Sequence, residues 1–276
     1  MSRFLCGRFV LDLSAPRIMA IINLTDDSFS GDGLRGDVAA ALRRAEKALE
    51  EGADLLDIGA ESTRPGCDPV PEAREIARIV AAVEALSGLG APLSVDTMKP
   101  AVMRAALRAG ADMINDINGF SAPDAVDAVA GGACGLCVMH MRGEPRTMQQ
   151  STVYADVVAE VADALRDRVA ALTAAGVVRE RIVLDPGFGF GKDVGHNYSM
   201  LKHFARFAVD GLPVLAGLSR KSMLGAITGK AVGERLIASV TGAALAVEHG
   251  ARIVRVHDVA ATREALQIWR ACAEAA

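Results

Sequence analysis

The sequence predicts an α/β fold, a (β/α)8 TIM barrel with a short N-terminal cap segment, and three observations carry that prediction. Short apolar runs rich in Val, Ile and Leu alternate eight times with longer stretches of helical spacing. The runs are apolar almost throughout, as strands of a parallel sheet covered on both faces must be. Polar and charged side chains collect just after the runs, whereas the residues leading into them are mostly Gly, Ala and Pro. Eight such units in 276 residues match the roughly 250-residue size of a closed barrel. An open doubly wound sheet is the alternative. No linker or shift in composition marks a boundary, so one domain is expected over residues 1–276.

In chain order, Phe4 to Leu13 is left over as a cap or hairpin. Strands are expected near Ile18 to Ile22, Leu55 to Ile58, Leu93 to Val95, Met113 to Ile117, Leu136 to Met139, Ile182 to Leu184, Val214 to Ala216 and Ile253 to Val256. Helical spacing covers Val38 to Glu51, Glu72 to Ser87, Pro100 to Ala109, Asp124 to Ala130, Tyr154 to Ala175, Tyr198 to Ala208, Glu234 to His249 and Ala261 to Ala273. Pro100 suits a first helical position, and Gly52, Gly110, Gly176 and Gly250 suit the turn just past a helix end. The phrases EEGADLLDI, RAGADMIND and EHGARIVRV repeat that sharp passage from helix to parallel strand.

Composition narrows the function classes. Apolar residues make up 51% of the chain and charged residues 23%, which excludes disorder and a coiled-coil rod. With 30 Lys plus Arg against 34 Asp plus Glu, the net charge of −4 offers no general hold on nucleic acid, so any anion site must be local. Charged residues interrupt every apolar stretch before it reaches the roughly 20 residues of a membrane span. Arg8 and Asp12 spoil the N-terminus as a secretory signal, and the expectation is a cytoplasmic protein. Five cysteines in such a chain suggest reduced thiols. Cys134, Cys137 and His140 have the spacing of a metal or redox site, but the segment reads better as a buried strand, with no second ligand pair elsewhere.

In a barrel, residues after the carboxyl end of each strand share one mouth. They run Asn23, Thr25, Asp26, Asp27; Glu61, Ser62, Thr63, Arg64; Asp96, Thr97; Asn115, Asp116, Asn118; His140, Arg142; Asp185; Ser219, Arg220, Lys221, Ser222; and Arg255, His257, Asp258. Arg64, Arg220, Lys221, Arg255 and His257, with glycine-rich loops beside them, offer cations and N–H groups to phosphate oxygens. Asp96, Asn115 and Asp185 offer acceptors to a heterocycle with a guanidine-like edge. A lone Asp at a strand end, Asp96 or Asp124, could equally cap the next helix. His196, His203 and His249 fall on helical faces or ends, where packing or surface roles are expected. The glycines of DPGFGFGK look like a phosphate loop but lack both Walker spacing and a dinucleotide fingerprint.

Taken together, NLTDDSFS, DIGAESTRPG, SVDTMKP, NDINGF, VMHMRGEPRTMQ, DPGFGFGK, GLSRKSMLG and RVHDV resemble the dihydropteroate synthases of the pterin-binding barrel superfamily, in that family's order and over nearly the whole chain. The resemblance implies a transferase that condenses 6-hydroxymethyl-7,8-dihydropterin diphosphate with 4-aminobenzoate in folate biosynthesis. It implies Asp96, Asn115, Asp185 and Lys221 around the pterin, with Met139, Phe190 and Gly217 lining the slot. Asn23 would hold Mg²⁺ on the diphosphate, with Arg255 and His257 binding that group. Phe29, Thr63, Arg64, Pro65 and Ser222 would form the aminobenzoate side, and the resemblance also suggests a homodimer through the last helices. Asp96, Lys221, Arg255 and His257 are the expected catalytic groups.

Two positions depart from the family pattern: Asp26 stands where proline is usual, and Ala60 where a second glycine is common. Two other readings compete. A methyltetrahydrofolate corrinoid methyltransferase would share the ring acceptors but has no use for a diphosphate pocket. An inactive pterin-binding paralogue would keep the site without turnover.

Overall fold

The computed structural model describes residues 2–25, 36–62, 67–150 and 152–275. Its elements follow in the order β1 (Arg3–Cys6), β2 (Phe9–Asp12), β3 (Arg17–Asn23), α1 (Val38–Glu50), β4 (Leu55–Gly59), α2 (Glu72–Leu86), β5 (Leu93–Asp96), α3 (Pro100–Ala109), β6 (Met113–Asp116), α4 (Ala125–Val129), β7 (Gly135–Met139) and α5 (Val157–Ala174). They continue with β8 (Ile182–Asp185), α6 (Val194–Lys202), β9 (Leu215–Ala216), α7 (Ser222–Thr228), α8 (Leu236–Glu248), β10 (Ile253–Val256) and α9 (Val259–Ala273). Strands β3 to β10 pair in parallel in the order β8-β7-β6-β5-β4-β3-β10-β9. A parallel bridge between Leu184 and Val214 joins the two ends, with Leu184 N–H donating to Pro213 O at 2.9 Å. The sheet therefore closes into a (β/α)8 barrel, and the open alternative is rejected.

Period-two alternation sorts each strand between two environments. Ile18, Ala20, Ile22, Leu56, Ile58, Val254 and Val256 join the layer between sheet and helices. Met19, Leu55, Met113, Cys137, Val183, Leu215 and Ile253 point inward as one apolar layer. The antiparallel β1–β2 hairpin plugs that layer from below, adding Phe4, Cys6 and Leu13. A Cβ on Gly135 would lie 2.7 Å from the Phe4 ring, so glycine is what admits the plug. Two residues further along the same strands stand Ile21, Asp57, Asn115, Met139, Asp185, Gly217 and Arg255, which is how an apolar floor becomes a polar mouth.

Most expected element ends hold to within a residue or two, and the larger shifts have local causes. Asp156 accepts from Val158 and Ala159 N–H groups, so α5 begins at Val157 rather than Tyr154. Asp193 and His196 form a reciprocal capping box that starts α6 at Val194 rather than Tyr198, and the helix breaks at His203 into a 3-10 turn, Phe204–Phe207. Asp124 precedes α4 at φ +64° but makes no side-chain cap bond, and Lys99, not Asp96, stands at the head of α3. Gly110 ends α3 at φ +111°, a left-handed turn that glycine adopts without strain. The two cysteines of the C-x-x-C do not converge: Cys134 lies in the outer layer, Cys137 inside the barrel, and both are free thiols raised by burial.

Candidate active site

At the carboxyl ends of the strands lies a cavity of about 540 Å³. Eleven residues expected at the site line it together: Asn23, Asp96, Asn115, Met139, Asp185, Phe190, Gly217, Lys221, Ser222, Arg255 and His257. Phe29, Thr63, Arg64 and Pro65, with Asp26, lie outside the described residues.

Inward parity explains the geometry of the floor. Arg255 on β10 extends between β4 and β5, its Nε donating to Asp57 Oδ2 at 2.6 Å and its Nη2 to Asp96 Oδ2 at 3.0 Å. Asn115 Nδ2 donates to Asp57 Oδ2 at 3.3 Å. Asp96 Oδ1 and Asn115 Oδ1 remain buried without partners, and a folded protein seldom leaves buried acceptors so. Burial pushes Asp96 up to about 7, with Arg255 opposing and Asp57 reinforcing the shift. Burial also raises Asp185, against the pull of Lys221 and of the Gly187 N–H, which donates to its Oδ1 at 2.7 Å. Burial disfavours the Arg255 cation, yet Asp57 and Asp96 hold it protonated.

Lys221 sits on the opposite wall. Its Nζ donates to Phe188 O at 2.5 Å and stands 4.8 Å from the centre of the Phe190 ring. Burial lowers Lys221 to about 8, opposed by Asp185. Gly217 leaves room between these groups, since a Cβ there would come within 4.0 Å of Lys221 Nζ and 3.9 Å of Asp185 Oδ2. His257 Nδ1 lies 2.9 Å from the Ser219 hydroxyl, which orients its ring.

The structure corrects two expected members of the anion group. Arg220 is bound to Asp258, Nη2 to Oδ1 at 2.6 Å and Nε to Oδ2 at 3.1 Å, and is absent from the cavity lining. Arg255 is not wholly in the anion half, because two of its nitrogens serve carboxylates of the floor. Sequence reasoning assigned nothing to Asp57, although it is the single charged residue in β4 and shares the inward parity of Leu55 and Gly59. It also missed Lys99, whose Nζ donates to Glu61 Oε2, Glu75 Oε2 and Val70 O at 2.6, 2.7 and 2.7 Å and so ties together the exits of β4 and β5. Among the described residues no group of three or more His, Cys, Asp or Glu could hold a metal ion, and no helix is long and apolar enough to cross a membrane.

The mouth of this barrel sets buried acid and amide acceptors opposite a lysine, and the family described as pterin binding enzyme matches residues 19–257, which makes the chain a pterin-binding barrel. Dihydropteroate synthase of Haemophilus influenzae is 48% identical over 266 residues, covering 96% of this chain and 97% of that relative. The crystal structure of Burkholderia cenocepacia dihydropteroate synthase complexed with 7,8-dihydropteroate is similar with a TM-score of 0.91 at 55% identity, covering 99% of this chain and 96% of that one. Xanthomonas albilineans dihydropteroate synthase with 4-aminobenzoic acid gives 0.92 at 45% identity, covering 100% and 99%. The chain belongs to the dihydropteroate synthase family of pterin-binding enzymes.

Proposed function

We propose that the chain condenses 6-hydroxymethyl-7,8-dihydropterin diphosphate with 4-aminobenzoate, giving 7,8-dihydropteroate and pyrophosphate. One observation carries the reading of the site: the unpartnered acceptors Asp96 Oδ1 and Asn115 Oδ1 belong to the same cavity as Asp185 and Lys221. Asp96, Asn115 and Asp185 accept from the N–H edge of the pterin, Lys221 donates to a ring acceptor, and Met139, Phe190 and Gly217 shape the slot. Arg255 joins the two halves, with His257 beside the diphosphate. Phe29, Thr63, Arg64, Pro65 and Ser222 take the aminobenzoate.

The methylene carbon to oxygen bond breaks with its electron pair leaving on pyrophosphate. Carboxylates around the electron-rich ring stabilise the cation left behind. The aniline nitrogen then forms the carbon to nitrogen bond and sheds a proton. No protein nucleophile is needed.

Mg²⁺ fits the residues present. Asn23 offers an amide oxygen, Thr25 nearby has a buried hydroxyl without a partner, and the ion takes few protein ligands when phosphate and water supply the rest. Bound there, it would neutralise charge developing on the leaving group. Apolar Ile227, Leu236, Ile237, Leu245 and Ile268 are exposed on α7, α8 and α9, which supports pairing through this face as a homodimer. Five free cysteines support a cytoplasmic setting.

The test is turnover. Purified protein with both substrates and Mg²⁺ should release pyrophosphate and yield dihydropteroate by mass spectrometry. Pyrophosphate release when aminobenzoate is omitted supports the dissociative order, and strict dependence on it refutes that order. Pterin binding without product would identify an inactive paralogue.

A further inference from the structure

The glycine-rich stretch 185–192 ends in a lysine that solvent barely reaches. Lys192 is 2% exposed, and its Nζ donates to Gly187 O at 2.9 Å, Phe190 O at 3.0 Å and His140 O at 3.3 Å, with His140 Nδ1 3.0 Å away. Gly187, Gly189 and Gly191 have φ of +71°, +81° and +67°, and a Cβ on Gly187 would fall 2.0 Å from His140 O. The loop is thus curled around the amine. Among the described residues no carboxylate bonds to it. Burial drives Lys192 well below the ordinary lysine range, and burial with Lys192 nearby lowers His140 to about 3, so the imidazole stays neutral.

The other side of this loop faces the cavity. Phe188 O accepts from Lys221, the Phe190 ring packs near the same Nζ, and Gly187 N–H holds Asp185. Two residues of the ring site are therefore oriented by a segment whose inner side is organised by one amino group.

We propose that Lys192 is a positioning residue for the pterin site: its buried amine gathers the carbonyls of Gly187, Phe190 and His140 so that the loop fixes Lys221 and Asp185 against the ring. This role rests on the function proposed above. It gives the glycine loop a purpose other than binding phosphate.

Lys192→Met keeps length and volume while removing the amine. The variant should fold by circular dichroism and raise KM for the pterin diphosphate by about tenfold or more, because displaced site residues lose alignment, while KM for 4-aminobenzoate stays within about twofold. An unchanged pterin KM in the folded variant, or equal loss in every parameter, overturns the proposal. Should Lys192→Met not fold, His140→Ala removes the ring contact with Lys192 while keeping the His140 carbonyl, and should show the same split at smaller size; an unchanged pterin KM there overturns it equally. Calorimetry with dihydropterin separates the two readings. Wild type that fails to bind refutes the site assignment, whereas wild type and Lys192→Met binding alike refutes only the positioning role.

Discussion

Arg255 and Asp57 stand 198 residues apart in sequence, and the Nε of one lies 2.6 Å from Oδ2 of the other. Asp57 is fully buried, and the same guanidinium reaches Asp96 on the neighbouring strand. One arginine thus spans β10, β4 and β5 and engages Oδ2 of Asp96, whose Oδ1 stays buried without a partner.

Asp57→Asn leaves the guanidinium with one anionic partner. Removing one member of a buried pair costs about 3 kcal/mol at the lower end of such losses, where Asp96 still compensates. Urea unfolding should show that loss together with weaker pterin binding. Unchanged stability would mean that Asp96 alone holds Arg255.

Binding of the pterin should depend on pH with a definite sign. In the proposed site the N–H edge requires Asp96 ionised, and the free carboxyl is pushed up to about 7 by burial. Binding must then expel a proton at acid pH, so affinity falls by about tenfold per pH unit below about pH 7. Lys221, lowered to about 8, loses its charge above that value. The kcat/KM profile should be a narrow bell between these limits. Asp96→Asn should flatten the acid limb and Lys221→Met the alkaline one; limbs that survive both changes contradict the assignment.

Gly217→Ala tests whether bare backbone makes the slot. The nearest atoms to the added methyl stand at 3.9 Å and beyond, and the residue's φ is not left-handed, so stability should hold to within about 0.5 kcal/mol. Pterin affinity should fall by about 1–3 kcal/mol because the methyl enters the space between Asp185 and Lys221. Calorimetry and thermal melting together decide it.

Phe4→Ala removes the plug at the far end of the barrel. Its side chain is fully buried, and such truncations cost about 3–5 kcal/mol. Below the melting point, KM for both substrates should match wild type, since the plug packs against the apolar layer and not the mouth. A selective rise in one KM would show that the lower layer shapes the site.

The site was legible in outline because a barrel sends every strand end to one place. Asp96, Asn115, Asp185, Lys221 and His257 could be picked out as polar residues following apolar runs. Asp57 was hidden by position, lying inside a strand rather than after it. Arg220 misled for the opposite reason: it follows a strand, but Asp258 draws it away from the mouth. Lys192 ends a glycine stretch that lacks the spacing of a phosphate loop and so drew no role from sequence; the curl of three left-handed glycines encloses its amine.

By itself the sequence determined the eight strand-helix units, the parity that places Leu55, Asp57 and Gly59 on one face, and the end at which polar groups gather. These follow from periodicities of two and 3.6 and from caps read within a few residues. Tertiary structure alone decided the pairings, Arg255 with Asp57 and Asp96, Arg220 with Asp258, Lys192 with three carbonyls. The reason is physical: a charge takes the partner that barrel closure and burial bring within hydrogen-bond reach, and local sequence carries no record of that distance.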